Sequence, residues 1–295
     1  MRILKPDILA RLKNFNFDLR RHRVEGHLTG RHRSLKRGFS QEFAQHRPYV
    51  AGDDLKHLDW KVYARKDRFF VKEFQEEKSL KTYMLVDRSG SMGYRGAGPE
   101  TKWEYARRLA MCMAYLILGQ GDAAGLLTFD TERRDFLPPR RRMTHLELMD
   151  DALSDGVTGG ETDLAAVLSG MVSSLPRRSL IVLVSDLLGD SARILEALRV
   201  YAARKHRLLV LQVLDPSERD LDIDGPVLFE SMENSDSLRC EVSLLRESYR
   251  EAFALQQRLY EASFHSTGVH HAVFYTDESW HRGLARFLAR QSAVA

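Results

Sequence analysis

From residue 80 onward, short apolar runs alternate with longer stretches of helical period, which restricts the fold to parallel βαβ units. Runs at 82–87, 123–130, 179–186, 207–214 and 271–276 read as strands, and stretches at 100–118, 143–153, 162–175, 190–204 and 278–289 as helices. Arg133 to Leu137 is expected to return antiparallel beside 123–130, stopped by Pro138 and Pro139. Near 226–242 the pattern is interrupted. Val227–Glu230 and Ser237–Val242, joined by Asn234-Ser235-Asp236, predict an inserted hairpin. A long amphipathic helix follows at 244–264, with Leu245, Tyr249, Ala252, Leu255 and Leu259 on one side. The expected architecture is a doubly wound, mostly parallel α/β sheet with one antiparallel edge strand and helices on both faces.

The first strand ends in the most specific string of the chain, Thr82-Tyr-Met-Leu-Val-Asp87-Arg-Ser89-Gly-Ser91-Met92. A carboxylate and two hydroxyls stand at alternate positions just past the carboxyl end of a central strand, where open α/β sheets bind ligands. Hard oxygen donors without His or Cys suit Mg²⁺ or a similar cation rather than zinc. The same residue types also cap helices and close turns, so the string alone leaves both readings open.

In this string the chain resembles the metal-ion-dependent adhesion site (MIDAS) of von Willebrand factor A-like domains. The resemblance implies a Thr from a second loop and an Asp from a third. Thr162, in Gly159-Gly160-Glu161-Thr162-Asp163-Leu164, and Asp186, ending Ser179-Leu-Ile-Val-Leu-Val-Ser-Asp186, stand in the required order. On this reading Ser89, Ser91 and Thr162 give hydroxyls to Mg²⁺ (or Mn²⁺ or Ca²⁺), and Asp87 and Asp186 hold its waters. A partner's Asp or Glu takes the open position.

A second resemblance covers residues 25–92. Arg33-Ser-Leu-Lys-Arg-Gly38-Phe-Ser-Gln-Glu42-Phe43, Arg47-Pro-Tyr49, Gly52-Asp53-Asp54, Leu58-Asp59-Trp60, Ala64-Arg65 and Val71-Lys72-Glu73-Phe74 follow one another in register. This series is similar to the signature of bacterial domain-of-unknown-function family 58, which precedes a von Willebrand A-like domain. Residues 1–79 then form an N-terminal extension packed on the sheet domain of 80–295. The resemblance also implies partnership with a MoxR-type AAA+ ATPase, in a chaperone-like adaptor role toward a protein client. Read by themselves, Arg47, Asp53, Asp54, Asp59 and Arg65, interleaved with Tyr49, Leu58, Trp60 and Tyr63, predict ion-paired, aromatic-packed structure.

Charge and composition bound the alternatives. Residues 1–80 carry 19 Lys and Arg against 11 Asp and Glu, and the excess concentrates at 20–37. Such a cluster suits an acidic protein surface, and a nucleic-acid or anionic-membrane binder is the competing reading. Pro6 to Phe15 predicts a short helix with Ile8, Leu9, Leu12 and Phe15 on one face. No apolar stretch reaches the ~20 residues that span a bilayer, and residues 1–20 lack a signal-peptide pattern. Cys112 and Cys240 are expected to be buried free thiols, and a cytoplasmic location follows as the expectation. There is no G-x-x-x-x-G-K-[ST], G-x-S-x-G or H-E-x-x-H, so a non-enzymatic protein is expected, with a metal-dependent phosphohydrolase as the third reading.

Overall fold

The computed structural model describes residues 3–12, 41–50, 53, 55–76, 80–154, 156, 162–232 and 236–293. The basic cluster at 20–37, Gly159 to Glu161, and Asn234 and Ser235 of the expected hairpin turn lie outside the described residues. The chain falls into two compact units, Met1–His22 with Leu80–Ala295, and Arg23–Ser79.

In the larger unit, α1 (Pro6–Leu12) buries Ile8 and Leu12, and the Ile3 amide donates to Asp150 Oδ1 at 2.9 Å. The smaller unit is an antiparallel pair, β1 (Gln41–Pro48) with β2 (Phe70–Glu76), enclosing α2 (Trp60–Lys66). Asp59 caps α2 by accepting from the Lys61 and Val62 amides, and His46 Nε2 lies 2.8 Å from its carboxylate. Arg47 pairs with Asp53 at 2.8 Å, and Tyr63 stacks on Phe69 with centroids 4.4 Å apart. The Arg47–Asp53 pair and the Trp60–Tyr63 ring contact fit the expected ion-paired, aromatic-packed pattern, while Asp54 lies outside the described residues.

The larger unit is built on six strands. In chain order they and their helices are β3 (Lys81–Asp87), α3 (Lys102–Gly119), β4 (Ala123–Phe129), β5 (Arg133–Arg140), α4 (His145–Ser154), α5 (Leu164–Met171), β6 (Leu180–Ser185), α6 (Ser191–Ala203), β7 (Arg207–Leu214) and α7 (Pro216–Asp220). After a hairpin of β8 (Pro226–Glu230) and β9 (Ser237–Glu241) come α8 (Val242–Thr267), β10 (His270–Tyr275) and α9 (Trp280–Ala293). The sheet order is β10-β7-β6-β3-β4-β5, and every pairing is parallel except β4 with β5. This is the doubly wound sheet with one antiparallel edge that the alternation predicts.

Strand alternation divides the core between the two faces. Met84, Val86, Val182, Val184, Leu209 and Leu211 join one cluster with α1, α3, α4 and α9. Tyr83, Leu85, Ile181, Leu183, Leu208 and Val210 join the other with α5, α6 and α8. Burial on both faces is why these strands read as continuous apolar runs rather than as alternating ones. Helix α3 is buried along most of its length and opens on a reciprocal capping box between Thr101 and Glu104.

Three expectations need correction. β5 continues through Pro138 and Pro139 to Arg140, because on this edge strand the two prolines fall at a register shift between the Leu126–Leu137 and Ala124–Arg140 pairs, where a missing N–H is tolerated. The helix expected at 162–175 begins only at Leu164. Asp163 caps it by accepting from the Ala166 amide, which leaves Thr162 in the loop. Cys112 is buried, but Cys240 on β9 is only half-buried. The apolar side of α8 is largely open, with Leu255 68% exposed, and the helix is anchored by Val242, Tyr260 and Phe264. Among the described residues, no helix is long and apolar enough to cross a membrane.

His271 on β10 sits 4.9 Å, centroid to centroid, from Phe264, and its Nε2 is 3.0 Å from Gln212 Oε1. Burial lowers its pKa to about 4. Because the folded pKa lies below the unfolded value of about 6.5, the unfolded chain takes up the proton first as pH falls. Stability should therefore decline from pH 6.5 toward 4, and His271→Phe should flatten part of that decline in denaturant unfolding measured across this window.

Candidate metal centre

β3 lies between β6 and β4 and is paired in parallel with both, so Asp87 and the residues that follow β6 emerge side by side at the carboxyl edge of the sheet. The Ser185 hydroxyl donates to Asp87 Oδ2 at 2.6 Å, and the Ser89 amide donates to Asp87 Oδ1 at 2.9 Å. These two bonds fix the carboxylate and turn the chain sharply enough to bring the Ser89 and Ser91 hydroxyls within 3.0 Å of each other. The Ser91 side chain lies near enough to the Asp186 carboxylate to help lower its pKa. Asp87, Ser89, Ser91 and Asp186 are each no more than 6% exposed.

Thr162 stands on a different loop. It is half-buried and lines a cavity of about 440 Å³ with Leu188 and Gly189, which follow Asp186. Of the five residues singled out in the sequence, Asp87, Ser89 and Ser91 are joined by hydrogen bonds, Asp186 follows the Ser185 that donates to Asp87, and Thr162 borders the loop after Asp186.

Neither carboxylate is in an ordinary environment. Burial, and then the charge of Asp186, push Asp87 up to about 7. Burial opposes ionisation of Asp186 too, but the charge and hydrogen bond of Lys102 outweigh it and hold Asp186 below the usual range. A buried carboxylate short of positive charge, Asp87, beside a second carboxylate and two hydroxyls, offers the hard oxygen chemistry that suits a divalent cation. Among the described residues, no group of three or more His, Cys, Asp or Glu side chains is placed to hold a metal.

Sequence reading passed over the residues that brace this cluster. Lys102 Nζ, at the start of α3, lies 2.7 Å from Asp186 Oδ2 and 2.6 Å from Glu218 Oε1. Glu218 belongs to α7, where it completes a capping box with Asp215, whose amide donates to Glu218 Oε2 at 2.7 Å. The string Asp215-Pro-Ser-Glu218 carried that signal, an acceptor followed three residues later by Glu. Asp215, which reads from sequence as an ordinary turn residue, is fully buried. It accepts from the Gly96, Ala97 and Gly98 amides at 3.0–3.1 Å and from the Thr276 hydroxyl at 2.9 Å. Burial opposes its charge, yet these bonds and those from Ser217 lower its pKa to about 2. Asp215 thereby pins the loop that links the metal string to α3. Close packing there admits only Gly at 98, because an added Cβ would collide with the Thr276 side chain.

The model of the family described as "Protein of unknown function DUF58" matches residues 45–261. Uncharacterized proteins of Mycobacterium bovis and Mycobacterium tuberculosis are each 27% identical over 296 residues, covering 98% of this chain and 92% of theirs. Among solved structures, BatB from Bacteroides thetaiotaomicron aligns with 13% identity and a TM-score of 0.44, over 73% of this chain and 100% of that one. The SpRpn10 VWA domain aligns with 13% identity and a TM-score of 0.41, over 72% and 95%.

Asp215→Ala removes a charged acceptor from several buried donors, so it should cost about 3 kcal/mol or more in urea unfolding. Gly98→Ala should destabilise the same loop without removing any hydrogen-bonding group.

Proposed function

The chain belongs to the DUF58 family, and we propose from its own site that it is a non-catalytic protein-binding adaptor that engages partners through a divalent cation, Mg²⁺ ahead of Mn²⁺ or Ca²⁺. The observation that carries this reading is the convergence of buried Asp87, Ser89 and Ser91, joined by hydrogen bonds, with buried Asp186 beside them at the carboxyl edge of the sheet. In this reading the hydroxyls of Ser89, Ser91 and Thr162 hold the ion, while Asp87 and Asp186 hold its waters. Both carboxylates suit that outer role. Each already accepts protein hydrogen bonds on both oxygens, Asp87 from Ser89 and Ser185, and Asp186 from Lys102 and Leu188.

Hydroxyl ligands neutralise less of a cation's charge than directly bound carboxylates do, so the bound ion supplies an electrophilic position for a carboxylate brought by a partner. The chain's own part is to hold the hydroxyls together and to keep its carboxylates one layer back. The partner class is a protein presenting Asp or Glu. The family resemblance adds a MoxR-type AAA+ ATPase as the machine with which the adaptor works. Open leucines on α8 and Leu188, 57% exposed beside Asp186, give apolar contact area next to the site.

The test is affinity capture from lysate with Mg²⁺, with EDTA, and with the Ser89→Ala/Ser91→Ala chain. An AAA+ ATPase or a defined client recovered only with metal and intact serines is the expected result. The same proteins recovered in all three samples would contradict the reading.

A further inference from the structure

Against the proposed ligands stands a cation that hydroxyl–carboxylate ligation does not itself require. Lys102 is 1% exposed, and its ammonium is shared between Asp186 and Glu218 at 2.7 and 2.6 Å. It also lies 5.9 Å from the centroid of the Tyr94 ring. A lysine at this place needs a reason. It occupies the first position of α3, where the helix dipole disfavours positive charge, and burying an ammonium costs several kcal/mol unless its partners compensate. Glu218 is tied in as firmly, with one oxygen on Lys102 and the other on the Asp215 amide.

Charge accounting supplies the reason. Asp215 is already satisfied by the Gly96, Ala97, Gly98 and Ser217 amides and by the Ser217 and Thr276 hydroxyls. Of the charges that remain, an ionised Asp87 with Asp186 and Glu218 brings three negative charges and Lys102 one positive, leaving minus two. A divalent cation closes that balance. Without Lys102 the same centre would carry minus three and would favour ions of higher charge. The ammonium also occupies Asp186 Oδ2 while the Leu188 amide occupies Oδ1 at 3.0 Å, which disfavours direct ligation by that carboxylate.

We propose that Lys102 is a built-in counter-cation of the metal centre, which matches its charge to a divalent ion and holds Asp186 back from direct ligation. This inference rests on the metal reading above. It assigns Lys102 and Glu218 opposite effects on ion affinity: Lys102 limits affinity and selects against trivalent ions, and Glu218 offsets part of Lys102's charge.

The test uses the full chain and two probes, Tb³⁺ followed by its luminescence and Mg²⁺ followed by competition against Tb³⁺, with thermal unfolding run in parallel to establish that each variant folds. Lys102→Met should tighten Tb³⁺ binding by roughly tenfold or more and Mg²⁺ binding by less, because the lost repulsion scales with the charge of the ion. Glu218→Gln, which keeps an acceptor for its hydrogen-bond partners, should weaken binding of both ions, Tb³⁺ by roughly tenfold and Mg²⁺ by less. Lys102→Met/Glu218→Gln restores the net charge and should bind within about threefold of the unsubstituted chain, since the two charges removed cancel. A Lys102→Met chain that fails to fold leaves the decision to Glu218→Gln and the double variant. Folded variants that bind both ions as the unsubstituted chain does, or Lys102→Met binding more weakly, would overturn the inference and leave the metal reading standing. If the unsubstituted chain binds neither ion, both fall together.

Discussion

The arrangement turns on one electrostatic problem: two carboxylates, Asp87 and Asp186, are buried close together at the carboxyl edge of a parallel sheet. Ionised carboxylates in such a place repel each other and lack water, and only donors aimed at them make the arrangement tolerable. The surrounding chain supplies those donors: the Ser89 and Leu188 amides, the Ser185 hydroxyl and the Lys102 ammonium. What is supplied does not suffice for Asp87, whose carboxyl remains pushed up to about 7 by burial and by Asp186. A carboxylate left short of positive charge beside two clustered hydroxyls is the physical content of the metal proposal.

The fold makes that concentration of charge possible. Parallel strands direct all their carboxyl ends to one edge, so β3, β6, β7 and β10 deliver Asp87, Asp186, Asp215 and Thr276 to the same side of the molecule. Asp215 then does for the loop at 96–98 what Asp87 does for its own, gathering backbone amides that would otherwise lie unsatisfied. Lys102, Glu218 and the capping box of α7 join the two carboxylate clusters into one network. The apolar sheet beneath, packed on both faces, holds these loops in register.

Much of this was legible in the sequence because it depends on pattern. Apolar runs of strand length mark all five parallel strands, four of them buried on both faces and β10 half-buried at the sheet edge. The alternation of Asp87, Ser89 and Ser91 marked a chemically unusual turn, since each residue offers a hard oxygen at a spacing that a tight loop can gather. Pro138 and Pro139 end the strand pattern of β5, since prolines interrupt strand interiors, but β5 is an edge strand and carries them at a register shift. The helical period begins at Thr162, but Asp163 is the cap, so the helix starts at Leu164. Lys102 and Asp215 were not visible as site residues because their roles depend on partners 84 and 117–119 positions away, and no local signal announces which buried charge will meet which. The Asp215–Glu218 capping box was local and readable, but its second use as a partner of Lys102 was not.

Titration of the chain with Mg²⁺ by calorimetry, beside the Ser89→Ala/Ser91→Ala chain, addresses the central claim most directly. One site per chain that is lost with the two hydroxyls, while both chains show the same thermal unfolding without metal, is the result this account predicts. Absence of Mg²⁺ binding by the unsubstituted chain, or binding that survives the double substitution unchanged, would contradict it.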